Sequence, residues 1–171
     1  MMINLMNNGY NERDQFILGR TFKGLILPML KDLIRGRVMS SGYPSVSAII
    51  RNEYYHDIDY NSRPNFKFDQ MYDFRFALRI ISENKLRERN QNSCFSATEA
   101  ILCNKLRVYG NKFVHSVAWP PGFLSDVLMT THELLSILKT DKNINFRKYK
   151  QILEDIKIMV SSRLSLRIAQ A

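Results

Sequence analysis

Apolar positions recur at helical spacing through most of the chain, and nowhere do they alternate as a half-buried strand requires. From Arg13 to about Gly36, Leu18, Phe22, Leu25, Met29 and Leu33 share one side of a helix. Pro28 lies inside that pattern, lacks a backbone donor, and is expected to kink or loosen the helix; Gly36 is read as its stop. A second helix is expected from about Phe68 to Glu88, with Met71, Phe74, Leu78 and Ile81 on one side. Ser96 and Glu99 have the spacing of a capping box, so a third helix starts there and runs to about Ser116, before Trp119-Pro120-Pro121-Gly122 ends it. A fourth, Ser125 to Lys139, carries Val127, Leu128, Leu134, Leu135 and Leu138. A last one, about Asn145 to Ile168, has Ile152, Ile156, Met159 and Leu166 to bury. With no strand pattern and no internal repeat, the expected fold is all-α, a bundle of about five helices.

Between the first two helices the rhythm breaks. Residues 40 to 68 contain Gly42, Pro44 and Pro64 together with Tyr43, Tyr54, Tyr55 and Tyr60. They read as a long Tyr-rich loop with a short helix around Ala48 to Tyr54. A connection of that length is functional or poorly ordered. Its tyrosines are expected to cover the core rather than to stack on bases, the other use such rings have. The chain divides into a short lead (1–12), a helical domain (13–140) and a basic terminal helix (141–171).

Composition narrows this picture. At 171 residues, 45% hydrophobic and 11% aromatic, the chain is one domain able to bury a core. Lys and Arg number 25 against 16 Asp and Glu, a formal +9 that favours a polyanionic partner, with RNA or DNA ahead of a membrane surface. Arg147, Lys148, Lys150, Lys157, Arg163 and Arg167 could track phosphates along the terminal helix, which could equally be an amphipathic partner-binding element. Cys94 and Cys103 make neither a disulfide framework nor a ligand pair, and are expected to be reduced, with Cys103 packed as a small hydrophobe. The start lacks the pattern of a signal peptide, and no run approaches the roughly 18 apolar residues of a spanning helix. The expectation is a cytoplasmic chain that does not enter membranes.

Candidate chemistry concentrates on the third helix. At 100° per residue Leu102, Leu106, Tyr109 and Phe113 fall within about 60° as a core stripe, while Asn104, Arg107, Asn111 and His115 fall within about 80° on another side. That polar stripe is a candidate site, and it is also what a solvated helix face presents. A histidine near a helix end can simply complement the dipole. "GRTFKGLI" has the two glycines of a phosphate loop without the Lys-Ser/Thr that should follow, so a nucleoside-triphosphate site is rejected. His56, Asp57 and Asp59 could ligate a metal only with partners from elsewhere, and His132 has no evident mate. No metal or other cofactor is expected.

"GNKFVHSVAWPPGFLSDVLMTTHELLSIL" resembles the final helix pair of the HEPN superfamily, in the branch shared by a eukaryotic nuclear RNA endonuclease and bacterial multidomain defence proteins. In that branch a helix ends in an Arg-Asn-x-Trp/Phe-Ala-His segment, followed by a short loop and a leucine-rich helix. Asn111, Phe113 and His115 match the asparagine, aromatic and histidine of the segment. "LGRTFKGLILPMLKDLI" is similar to the opening helix of the same branch, including Gly19, Arg20, Gly24, Leu25 and Pro28. The resemblance implies a HEPN-like helical bundle, a homodimer, and metal-independent RNA cleavage in RNA processing or bacterial defence. It departs at one position: the family arginine falls on Gly110, and Arg107 lies eight residues before His115, about 12 Å along the axis.

The implied roles are His115 as acid or base, Arg107 as the group facing phosphate charge, and Asn111 as an orienting side chain. Lys105, Lys112, Arg147 and Lys148 are the expected RNA-binding cations. The alternative is a non-catalytic module, alone or within a larger parent protein, that dimerises or recruits a protein partner.

Overall fold

A computed structural model describes residues 12–116 and 118–170, with the side chains of 163–170 left aside. Among the described residues the fold is all-α, with six helices and no strand. Helix α1 spans residues 12–40. It starts with α-helical turns, passes through a π-helical stretch Arg20–Ile26, and continues as the α-helix Leu27–Ser40. The others are α2 (Val46–Glu53), α3 (Phe74–Glu83), α4 (Ala97–His115), α5 (Phe123–Ile137) and α6 (Phe146–Gln170). Five of these correspond to the expected helices, and α2 to the short one expected in the Tyr-rich connection.

The periodic apolar positions find the core as expected. Leu18, Phe22, Leu25, Met29 and Leu33 of α1 are buried completely, as are Leu78 and Ile81 of α3, Leu106 of α4, Val127 and Leu134 of α5, and Ile156 of α6. Helix α4 packs against α3 and α5, and α6 lies on the π-helical stretch of α1 and on α5. Leu166, expected to need burial, lies outside the described side chains, as do Arg163 and Arg167, and the lead 1–11 is outside the described residues.

Boundaries differ from the sequence reading for local reasons. Pro28 does loosen α1, but upstream of itself. It cannot supply the N–H that Gly24 would accept in an α-helix, and the seven residues Arg20–Ile26 take the wider π register. Gly36 does not stop the helix; its missing side chain lets Asn143 pack directly on α1, and the turn comes at Gly42, with φ +87°. The second expected helix is shorter at both ends. Asp73 caps its start by accepting the Arg75 N–H at 2.9 Å, and Asn84 ends it in the left-handed region, φ 53°. Residues 68–70 are instead one 3₁₀ turn, and Leu86 to Ser93 form a tight loop closed by the Arg87–Ser93 bridge.

The capping box of α4 is present in full: Ser96 Oγ accepts the Glu99 N–H at 3.1 Å and Glu99 Oε1 accepts the Ser96 N–H at 2.7 Å. Glu99 also anchors a charged junction. Arg37 of α1 donates to Glu99 Oε2 at 2.8 Å, to Asp141 Oδ2 at 2.7 Å and to the Cys94 carbonyl at 2.8 Å. This ties α1, the first turn of α4 and the α5–α6 connection together. Both cysteines are free and buried, and burial pushes the Cys103 thiol far up.

Candidate functional site

Helix α4 divides into two sides. Leu102, Cys103, Leu106 and Gly110 are buried, and Tyr109 and Phe113 pack on the core from its edge. On the outside, Asn104, Lys105, Asn111, Lys112 and His115 are exposed, together with Ile101 and Val108. On a helical wheel Ile101, Lys105, Val108, Lys112, Asn111 and His115 fall within about 120°. The expected polar stripe is therefore mixed, with two apolar side chains set between its cations.

Arg107 does not join His115. It turns toward α3, with Nη1 3.9 Å from Glu83 Oε1. Glu83 is the hub of a small network: Arg79 Nε donates to Oε1 at 2.7 Å, Lys85 Nζ stands 3.2 Å from Oε2, and Arg79 reaches Asp57 at 2.7 Å. Burial works to raise the Glu83 carboxyl, but hydrogen bonds from Arg79 and Lys85, and their charges, overcome it and hold it below the usual range. Arg107 has the longest contact in the group, and it is the third cation facing two carboxylates. Sequence reasoning missed Glu83, because the residue lay within a helix expected to continue past it and 24 positions from Arg107 (107 minus 83).

Gly110 faces inward. A Cβ on it would stand 2.9 Å from Phe74 Cε2 and 3.6 Å from Phe22 Cε1. The position at which the resemblance expects an arginine is thus an interior one in this chain, where α4 closes on α1 and α3.

The end of α4 is fixed by aromatic rings. Phe22 and Phe74 stack with centroids 4.8 Å apart; Phe113 lies 5.5 Å from Phe22 and 6.0 Å from Trp119, and Trp119 stacks on Phe123 at 5.9 Å. Trp119 Nε1 donates at 3.2 Å to the Lys112 carbonyl, which also accepts the Ser116 N–H at 2.9 Å, so the indole adds a second bond at the last turn. These contacts hold the His115 end of α4 relative to α5 without involving the imidazole. Beside them, Leu18, Trp119, Phe123, Leu128 and Val160 line an apolar cleft of about 540 Å³ with His132 and Glu133 among its lining residues.

The other expected cations lie elsewhere. Arg147 and Lys148 are exposed at the start of α6. Lys139 and Lys150 sit over the Phe146 ring at 5.8 and 5.9 Å, giving a basic turn whose Asp141 is already engaged by Arg37. Since Asp141 and Glu99 share Arg37, this turn is at the start of α4, about 24 Å along the axis from His115. The structure keeps Lys105 and Lys112 with His115 and places Arg147 and Lys148 at the far end.

Among the described residues no group of three or more His, Cys, Asp or Glu side chains could hold a metal ion, and no helix is long and apolar enough to cross a membrane. No family model, curated protein or solved structure matches the chain.

Proposed function

We propose that the chain is an RNA-directed, HEPN-like helical domain that acts as a homodimer, with His115 as the acid–base group of a metal-independent endoribonuclease. The observation that carries the reading is the outer side of α4, where Asn111 and His115 are exposed in line with Lys105 and Lys112, away from the packed core. In this role His115 accepts the proton of a ribose 2′-hydroxyl as its oxygen attacks the adjacent phosphorus. The 5′-oxygen leaves and takes up a proton, so the products carry 2′,3′-cyclic phosphate and 5′-hydroxyl ends. Asn111 orients the phosphate. Arg107 of a second copy, released from its own 3.9 Å contact with Glu83, faces the developing charge, because the Arg107 of the same copy lies about 12 Å along the helix from His115.

The surfaces of α4 and α5 support self-association. Ile101 and Val108 are 61% and 47% exposed on the basic face of α4, and Met129 and Ile137 are 60% and 43% exposed on α5. On α5 these share a face with the exposed carboxylates Asp126 and Glu133. A two-fold pairing of α4 with the α5 of a second copy covers all four apolar side chains and matches lysines to carboxylates. Purified protein is expected to cut RNA in EDTA, and His115→Ala to lower the rate by roughly 10²–10⁴ while the fold stays intact. Absence of cleavage by the wild type at concentrations where light scattering shows a dimer refutes the nuclease reading; a monomer at tens of micromolar, the order of a modest interface, refutes the dimer.

The second reading, a non-catalytic module that recruits or regulates a protein, is favoured by the apolar cleft beside Trp119. It gives partner binding without RNA cleavage.

A further inference from the structure

Of the loop tyrosines expected to cover the core, Tyr43 and Tyr54 do so, but Tyr55 and Tyr60 are 44% and 74% exposed, and Tyr72, just before α3, is 85% exposed. Rings left out by a frayed loop would need no explanation, but this segment is anchored. Tyr54, Ile58 and Phe68 are buried in or against the core, three 3₁₀ turns shape the backbone, and Ser47 Oγ accepts the Phe68 N–H at 2.9 Å. Lys31 Nζ donates to the Asp69 and Met71 carbonyls at 2.7 and 2.8 Å. The rings are held outward by a fixed backbone. Two of them also hold a cation: the Arg63 guanidinium lies 4.1 Å from the Tyr55 centroid and 5.3 Å from that of Tyr60, while its Nε donates to the Ile58 carbonyl at 3.1 Å. This is a pre-assembled stack, with the ordering of the arginine already achieved.

Next to it is a concave surface of about 510 Å³ lined by Asn61, Asn65, Gln70, Lys67 and Tyr72. The exposed Tyr72 ring lines this patch of amides, and the exposed Tyr60 directly precedes its lining residue Asn61. Aromatic faces offer stacking to any base, side-chain amides offer paired donor and acceptor to base edges, and a lysine offers charge to phosphate. Asp73, which also lines the cleft, is paired with Arg75, and Asp69, next to Gln70 in sequence, with Arg35.

We infer that the segment 55–73 is a base-stacking site for single-stranded RNA, in which Tyr60 and Tyr72 receive unpaired bases and Asn61, Asn65 and Gln70 contact their edges. The inference rests on the RNA-directed reading above and adds the form of the substrate: bases within a duplex are already stacked and cannot enter such a site.

Tyr60→Ala and Tyr72→Ala, alone and together, test it, with Tyr→Phe at each position as the conservative variant and circular dichroism to verify folding. Binding of a short fluorescein-labelled single-stranded RNA and of its duplex is read by anisotropy across a salt series. Each alanine is expected to weaken single-strand binding about 5- to 150-fold, the range of one lost base stack, with the salt slope unchanged because no charge is removed. Phenylalanine retains binding, and the duplex is unaffected. Equal affinity of wild type and the double alanine variant for the single strand overturns this inference alone. Equal losses for single strand and duplex overturn it too. A wild type that binds neither RNA even at low salt overturns both this inference and the RNA-directed reading.

Discussion

Gly110 is the position where the family resemblance asks for arginine and the packing asks for no side chain. A Cβ there meets Phe74 Cε2 at 2.9 Å. The Phe74 ring has little freedom to withdraw, because it stacks on Phe22 at 4.8 Å and lies 6.2 Å from Phe113. Alanine in place of glycine gains about 1 kcal/mol of helix propensity, whereas overpacking a closed contact costs about 1–3 kcal/mol. Gly110→Ala is therefore expected to range from neutral to about 2 kcal/mol less stable. Gly110→Arg adds a charge with no carboxylate placed to receive it and is expected to cost more than about 4 kcal/mol.

Gly24 is the internal control. It is an exposed glycine in α1 whose Cβ would lie 3.7 Å from Arg20 Cγ, an ordinary contact, so Gly24→Ala is expected to lose nothing. Urea unfolding followed by the fluorescence of Trp119, the single tryptophan, reads all three variants. With a slope of about 2 kcal/mol per molar, a 2 kcal/mol loss moves the midpoint by about 1 M. A Gly110→Ala midpoint raised as much as that of Gly24→Ala, or a Gly110→Arg protein with an unchanged midpoint, would refute the packing account. It would also reopen direct restoration of the family arginine as a route to activity.

Three further outcomes follow from the charged networks. Arg37→Met strands Glu99, 4% exposed, and Asp141 without their shared cation, and is expected to cost about 3–5 kcal/mol in urea unfolding. Burial works to raise the Asp141 carboxyl, but the Arg37 hydrogen bond and charge and the Asn143 N–H hold it below its usual value; its stabilisation is present above the unfolded carboxylate range and is lost as pH falls through the folded value. Unfolding midpoints should therefore drop below about pH 4, and a wild-type midpoint flat through that range contradicts the assignment. Glu83→Gln removes the carboxylate that directs Arg107 toward α3, and is expected to tighten RNA binding and steepen its salt dependence by about one counterion. An unchanged slope in the anisotropy titration would mean that Arg107 stands outside the RNA path.

What the sequence made legible is what depends on neighbours a few residues apart. The α1 stripe from Leu18 to Leu33, the Ser96–Glu99 box and the two sides of α4 all rest on spacings of three or four residues, and all are present. Gly36 and Gly110 were beyond reach because each is defined by a residue far along the chain, Asn143 in one case and Phe74 with Phe22 in the other. The overextended second helix has a local cause, since Asp73 and Asn84 each offer the backbone an alternative to continuing the helix. For the candidate site, exposure of His115 and Asn111 followed from helix phase alone; the partner of Arg107 did not, because it is set by how α3 lies on α4.

These constraints shift the question of phosphate charge away from position 110. Within one copy, Arg107 is about 12 Å and 80° from His115 and turned to Glu83, and Gly110 points into the core. The nearer of the two lysines on the face of His115 is Lys112, one turn before it, about 4.5 Å along the axis and 60° around it. Lysine supplies a compact charge with rotatable donors, not the planar fork with which arginine grips two phosphate oxygens at once. A single copy thus presents His115 with a point charge and an amide from Asn111, a set suited to holding a phosphate more than to stabilising its transition state. Fork geometry has to come from outside the copy. That requirement is why the nuclease proposal depends on the dimer proposal for this chain, while the dimer, supported by the apolar side chains that interrupt the cations of α4, can stand without it.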